Sequence, residues 1–79
     1  MELIDKAHLL AAQYADQQVV DAKRLQNPLL DLWGLADSDG LRAPVETLLV
    51  ATSRRSQIAT SELAALAAEL ETAAQVAVP

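Results

Sequence analysis

Arg54 and Arg55 are the only adjacent basic pair on the helix expected over the C-terminal half of the chain. Paired guanidinium groups suit a carboxylate or another oxyanion, because each presents several N–H donors in a rigid fork. On a solvated helix face, the same pair does no more than keep that face polar. His8 is the single histidine and cysteine is absent. A structural metal needs about four converging ligands. No second imidazole or carboxylate cluster stands at ligand spacing from His8, so it reads as a partly buried or solvated side chain. Glu62, Glu69 and Glu71, with no nearby cation, read as a solvated face that would repel an acidic partner. General acid–base work needs positioned titratable groups, and no such pair is recognisable. No residue is therefore assigned to catalysis, a metal or a cofactor, and the chain is not read as an enzyme. What remains is contact between surfaces.

The composition supports that reading. Hydrophobic residues make up 52% of the 79, yet phenylalanine is absent and Trp33 and Tyr14 are the only aromatics. Alanine and leucine carry the apolar content; both are strong helix formers. Small side chains let helix backbones approach closely along a seam, which suits bundles better than cavities, and no small-molecule ligand is expected. A domain this short buries only about 60–65% of its unfolded surface. Without disulfides or a metal, a partner or a well-packed helical core must supply stability. The net charge is −5, with seven acids against three bases up to residue 39 and four against three beyond it. That balance argues against a nucleic-acid partner. No apolar run approaches the roughly 20 residues of a membrane span. The N-terminal residues lack the pattern of a secretory signal peptide. The expectation is synthesis in the cytoplasm, with any export taking a signal-peptide-independent route.

The elements that would position these surfaces are helices within one domain, residues 1–79. Residues 2–26 hold no glycine or proline, and Leu3, Ala7, Leu10 and Tyr14 share one helical face, widened by Ile4 and Ala11. The stripe fades at Gln17, Gln18 and Asp21. Asn27-Pro28 predicts a break, with Pro28 opening a short helix to about residue 36. That helix carries Leu29, Leu30, Leu32 and Trp33, which form either core or a target site. Asp37–Gly40 predicts a turn. A long helix over about residues 42–76 follows, with Pro44 in its first turn. Its seam runs Val45, Leu49, Thr52, Ser56, Ala59, Leu63, Leu66, Leu70, Ala73 and Ala77, the period of a coiled-coil stripe. Leu48 and Ile58 flank it, within reach of a third helix. The fold class is all-α: an antiparallel helical hairpin with a short connecting helix, completing a bundle by dimerisation.

Trp33-Gly34 discriminates best among functions. A core tryptophan before a helix-terminating glycine is one adequate account. The pair, set between two Ala/Leu-rich amphipathic helices, also resembles the WXG family of helical hairpins exported by type VII secretion. The resemblance covers most of the chain and implies a hairpin that dimerises into a four-helix bundle, as a secreted substrate or its partner or chaperone. The family motif places glycine two residues after tryptophan, where Leu35 stands here. The family's tyrosine-plus-acid export element is missing as well, since Gln18 lies four residues after Tyr14. Such a chain would travel with a partner that carries the element. Leu48–Ala59 also resembles the arginine-bearing helix of all-helical chorismate mutases, although almost nothing basic follows Arg55. Three functions follow from these readings. The first is a protein–protein interaction module acting as a homodimer or with a helical heteropartner, through Leu29, Leu30, Leu32, Trp33, Val45, Leu49, Thr52, Ser56, Ala59, Leu63, Leu66 and Leu70. The second is a small adaptor or inhibitor binding one folded target through the Leu29–Trp33 patch, and the remote third is a small helical enzyme using Arg54 and Arg55.

Overall fold

Two β-branched stretches, Val19-Val20 and Ile58, decide the topology. In the computed structural model, which describes residues 2–76, each lies in a three-residue strand between two helices. The order is α1 (Glu2–Gln13), β1 (Val19–Asp21), α2 (Ala22–Leu35), α3 (Asp39–Arg54), β2 (Gln57–Ala59) and α4 (Thr60–Val76). The strands pair antiparallel, with Val19 opposite Ala59, Val20 opposite Ile58 and Asp21 opposite Gln57. Side chains alternate across a strand, so Val20 and Ile58 point inward together and are buried while most of their neighbours face solvent. The Ala22 N–H donates to the Ser56 carbonyl at 3.0 Å and the Thr60 N–H to the Gln18 carbonyl at 2.9 Å, extending the bridge at both ends. Residues 2–35 and 39–76 thus repeat one helix–strand–helix pattern, joined at Val20–Ile58.

The all-α class holds, but the helices begin and end elsewhere than the sequence pattern predicts. The helix expected over residues 2–26 stops at Gln13, where turns link Ala15 to Ala12 and Gln17 to Tyr14. Asn27-Pro28 is no break: Pro28 is the seventh residue of α2, which gives up only the bond to the exposed Arg24 carbonyl. Burial of Ala22, Leu25, Leu29 and Leu32 along one face of α2 offsets the interruption. Asp39 and Gly40 belong to α3 rather than to a turn. Ser38 is its N-cap residue, its carbonyl accepting from Leu41 and Arg42, and Pro44 lies sixth in the helix, beyond the first turn.

The long helix over 42–76 is two helices. Thr52 and Ser53 turn their hydroxyls back onto the Leu49 and Val50 carbonyls, at 2.6 and 2.8 Å. Such back-bonding competes with the helix ladder. Arg55 follows in extended conformation, and the chain enters β2. Four medium helices therefore replace the expected hairpin, packing in the order α1–α2–α3–α4 and back to α1. Leu3, Leu25, Leu29, Leu32, Val45, Ile58, Leu63 and Leu70 fill the centre, each less than 2% exposed or nearly so. Full burial of such a side chain contributes about 1.5–3 kcal/mol. No buried side-chain nitrogen or oxygen among the described residues lacks a hydrogen-bond partner.

Candidate interaction surfaces

The Leu29–Trp33 patch divides between inside and outside. Leu29 and Leu32 are core, at 0% and 2% exposure, whereas Leu30 on the opposite face of α2 is 53% exposed. Trp33 is half-buried against the core. Its indole N–H donates to Glu46 Oε1 at 2.9 Å, and the Arg42 guanidinium lies over its ring, 4.4 Å from the centroid. Arg42 Nε also donates to the Ala36 carbonyl at 2.9 Å. Tryptophan and the two α3 side chains therefore clasp the end of α2 to the start of α3. Gly34 does not terminate α2 by a left-handed conformation: no glycine among the described residues has positive φ, and the helix runs on to Leu35. The chain exits through Ala36, whose backbone is extended and whose N–H bonds to the Leu32 and Trp33 carbonyls.

The expected seam from Val45 to Ala77 is divided by β2 and does not face one partner. Val45, Thr52, Leu63, Leu66 and Leu70 lie in the chain's own core; Leu49, Ala59 and Ala73 are half-buried; Ser56 is exposed in the bridge, accepting from Ala22. Ala77 lies outside the described residues. Leu48 and Ile58 do meet further helices, both in the shared core. The small middle of the seam, Thr52-Ser56-Ala59, is the place where α3 ends and β2 begins.

Two of the glutamates expected to be solvated have cationic or polar partners. Glu62 Oε1 accepts from Arg55 Nη1 at 2.8 Å, and its Oε2 from the Ala59 N–H at 3.0 Å. The second contact is half of a capping box, an acid at the third helical position reaching back to the cap N–H. The Arg55 guanidinium, by hydrogen bonding first and by its charge as well, holds the Glu62 carboxyl below the usual glutamate range against an opposing push from partial burial. Glu71 pairs with His8, both about half exposed, joining α4 to α1. His8 is thus a surface contact.

Two of the concave surfaces on the molecule contrast in chemistry. One, of about 740 Å³, lies between the start of α3 and the second half of α4, walled by Ser38, Gly40, Pro44, Ala68, Thr72 and Ala73 with Glu69 at its edge. Its walls are short, and a Cβ built on Gly40 would meet nothing within 4 Å. The other, of about 820 Å³, lies where α2 begins and α3 ends, and holds Lys23, Arg24, Arg54 and Arg55. The pair Arg54-Arg55 drew attention from sequence alone. Lys23-Arg24, a second adjacent basic pair, did not, because nothing local says that residues about 30 apart share a cleft. No described group of three or more His, Cys, Asp or Glu side chains is placed to hold a metal. No family model, curated protein or solved structure matches the chain.

Proposed function

We propose that the chain is a non-enzymatic protein–protein interaction module that receives a helix of another protein in the groove between α3 and α4. The observation carrying this reading is the groove's wall. Gly40, Ala68, Ala73, Ser38 and Thr72 are small, and Pro44 presents a flat ring. An amphipathic helix laid there can bring its backbone close and gain dispersion contacts along its length. A heteropartner is favoured over a homodimer because the apolar stripes of all four helices are already covered within one chain. The alternative of a folded target gripped by Leu29–Trp33 has less support, since Leu29 and Leu32 are core and only Leu30 stands out. The secretion role implied by Trp33-Gly34 and its flanking helices has less support, since Leu35 stands at the family's glycine position and the tyrosine-plus-acid element is missing.

The test is quantitative co-purification from the source cells with the native chain and with Ala68→Arg and Ala73→Arg variants. Both sites border the groove, and circular dichroism should show that the fold survives. A partner enriched by the native chain and lost from both variants supports the reading. Identical partner sets for all three chains would overturn it.

A further inference from the structure

Four of the six bases in the chain line one cleft. The bridge brings the start of α2, with Lys23 and Arg24, beside the end of α3, with Arg54 and Arg55. Around the bridge, four bases face three acids, Asp16, Asp21 and Glu62; the rest of the molecule holds two bases and eight acids. The bases are therefore concentrated at the bridge while most acids lie on other parts of the chain.

The donors in the cleft are available. Among the described residues Arg55 is paired with Glu62, but Lys23, Arg24 and Arg54 form no ion pair. All four bases are exposed at their tips. Asp21 precedes α2 without capping it, so no side chain covers the N–H groups of the first turn. The helix dipoles do not decide the matter, because the positive start of α2 and the negative end of α3 meet in the same cleft. The Thr52 and Ser53 hydroxyl protons are committed to backbone carbonyls. Recognition thus falls to the cationic side chains, with the Gln26 amide beside them. Asp21 on the rim opposes an anion, and three unpaired cations outweigh it.

We propose that this cleft binds a short acidic segment of a protein through its carboxylates. The length follows from charge. A long polyanion would run from the cleft onto a surface with eight acids, whereas a segment of a few residues engages Lys23, Arg24 and Arg54 and stops. Carboxylates match the forked donors of two arginines. The site is separate from the α3–α4 groove and stands or falls independently of it.

The experiment is an NMR titration of the isotope-labelled full chain with a blocked peptide of alternating Glu and Ala, at low and at moderate salt. Expected are shifts centred on the amides of Lys23, Arg24 and Arg54–Ser56, with affinity falling as salt rises. Lys23→Glu and Arg54→Gln should each weaken binding, and together by about tenfold or more, equivalent to about 1.4 kcal/mol. Lys6→Glu, a base outside the cleft, is the control for net charge. The proposal is overturned if a neutral control peptide, with Gln in place of every Glu, shifts the same amides equally, or if Lys6→Glu weakens binding as much as the cleft variants. Shifts centred elsewhere would also overturn it, as would tighter binding of inorganic phosphate or of an oligodeoxythymidylate.

Discussion

Glu62 ties three pieces of backbone together: the strand end at Ala59, the extended Arg55 and the first turn of α4. Its carboxyl is held below the usual glutamate value mainly by hydrogen bonding from Arg55. A carboxylate depressed in the folded state stabilises fully above its unfolded pKa, about 4.3, and loses that contribution as pH falls through the native value. Glu62→Gln should therefore lower stability by about 0.5–1 kcal/mol at neutral pH, a modest figure because the pair is solvent-screened. Urea melts should show that difference closing as the pH drops below the glutamate range. Gly34 makes the opposite case. It adopts helical backbone and an added Cβ would meet nothing within 4 Å, so Gly34→Ala should stabilise by about 0.5–1 kcal/mol. A rise of about 2–8 °C in melting temperature would register it. In sequence, Gly34 suggests a helix terminator because it precedes a polar stretch. Its true setting depends on the Trp33–Arg42–Glu46 clasp, whose α3 side chains lie eight and twelve residues further on.

At the scale of elements, helical character was legible because alanine and leucine dominate and the stripes of Leu3–Leu10 and Leu63–Leu70 have helical period. The breaks were legible only in part. Fading of the first stripe at Gln17-Gln18 marks the exit from α1, and the polar run Thr52–Gln57 marks the exit from α3. Neither contains glycine or proline, while both helix-interior prolines, Pro28 and Pro44, read as boundaries. Local propensity lost to tertiary pairing: Val20 and Ile58 lie 38 positions apart and specify strands only because they meet. Ile58→Ala should accordingly act beyond its own strand. Removing a side chain with 0% exposure creates a cavity at the junction of the two halves, costing about 2–5 kcal/mol. A chemical melt should show that loss as one cooperative shift, with the mid-sheet amides losing exchange protection together with the helices. Isolated loss of protection at residues 57–59 would mean that the bridge is ornamental.

For the molecule as a whole, stability was expected from a partner or from a well-packed helical core, and the packing favours the core as the source. Ten leucines, among them Leu3, Leu25, Leu29, Leu32, Leu63 and Leu70, are buried within one copy, while Leu9 and Leu30 stay exposed; the melting temperature should accordingly not vary over a hundredfold dilution, and light scattering should give a monomer mass. A transition that falls on dilution would show the core being completed between chains instead. The cleft of Lys23, Arg24, Arg54 and Arg55 exists only at this scale. Half of it was visible as a basic pair, and the other half became adjacent through the fold. The acidic balance of the sequence also concealed it, since a net charge describes no particular place.

The repeated helix–strand–helix pattern has a consequence for covalent continuity. Nothing but the Ala36–Ser38 connector joins the halves along the chain, while the bridge and the helix faces join them through space. Each half alone would leave a row of large apolar side chains in water: Leu3, Leu10, Leu25, Leu29 and Leu32 in one, Leu41, Val45, Leu48, Leu63, Leu66 and Leu70 in the other. Fragments spanning residues 1–36 and 37–79 should therefore be poorly helical apart and regain helical circular dichroism when mixed in equal amounts. The peptide bond between them is then a tether that raises local concentration, and a protease nick there should leave the assembled body standing.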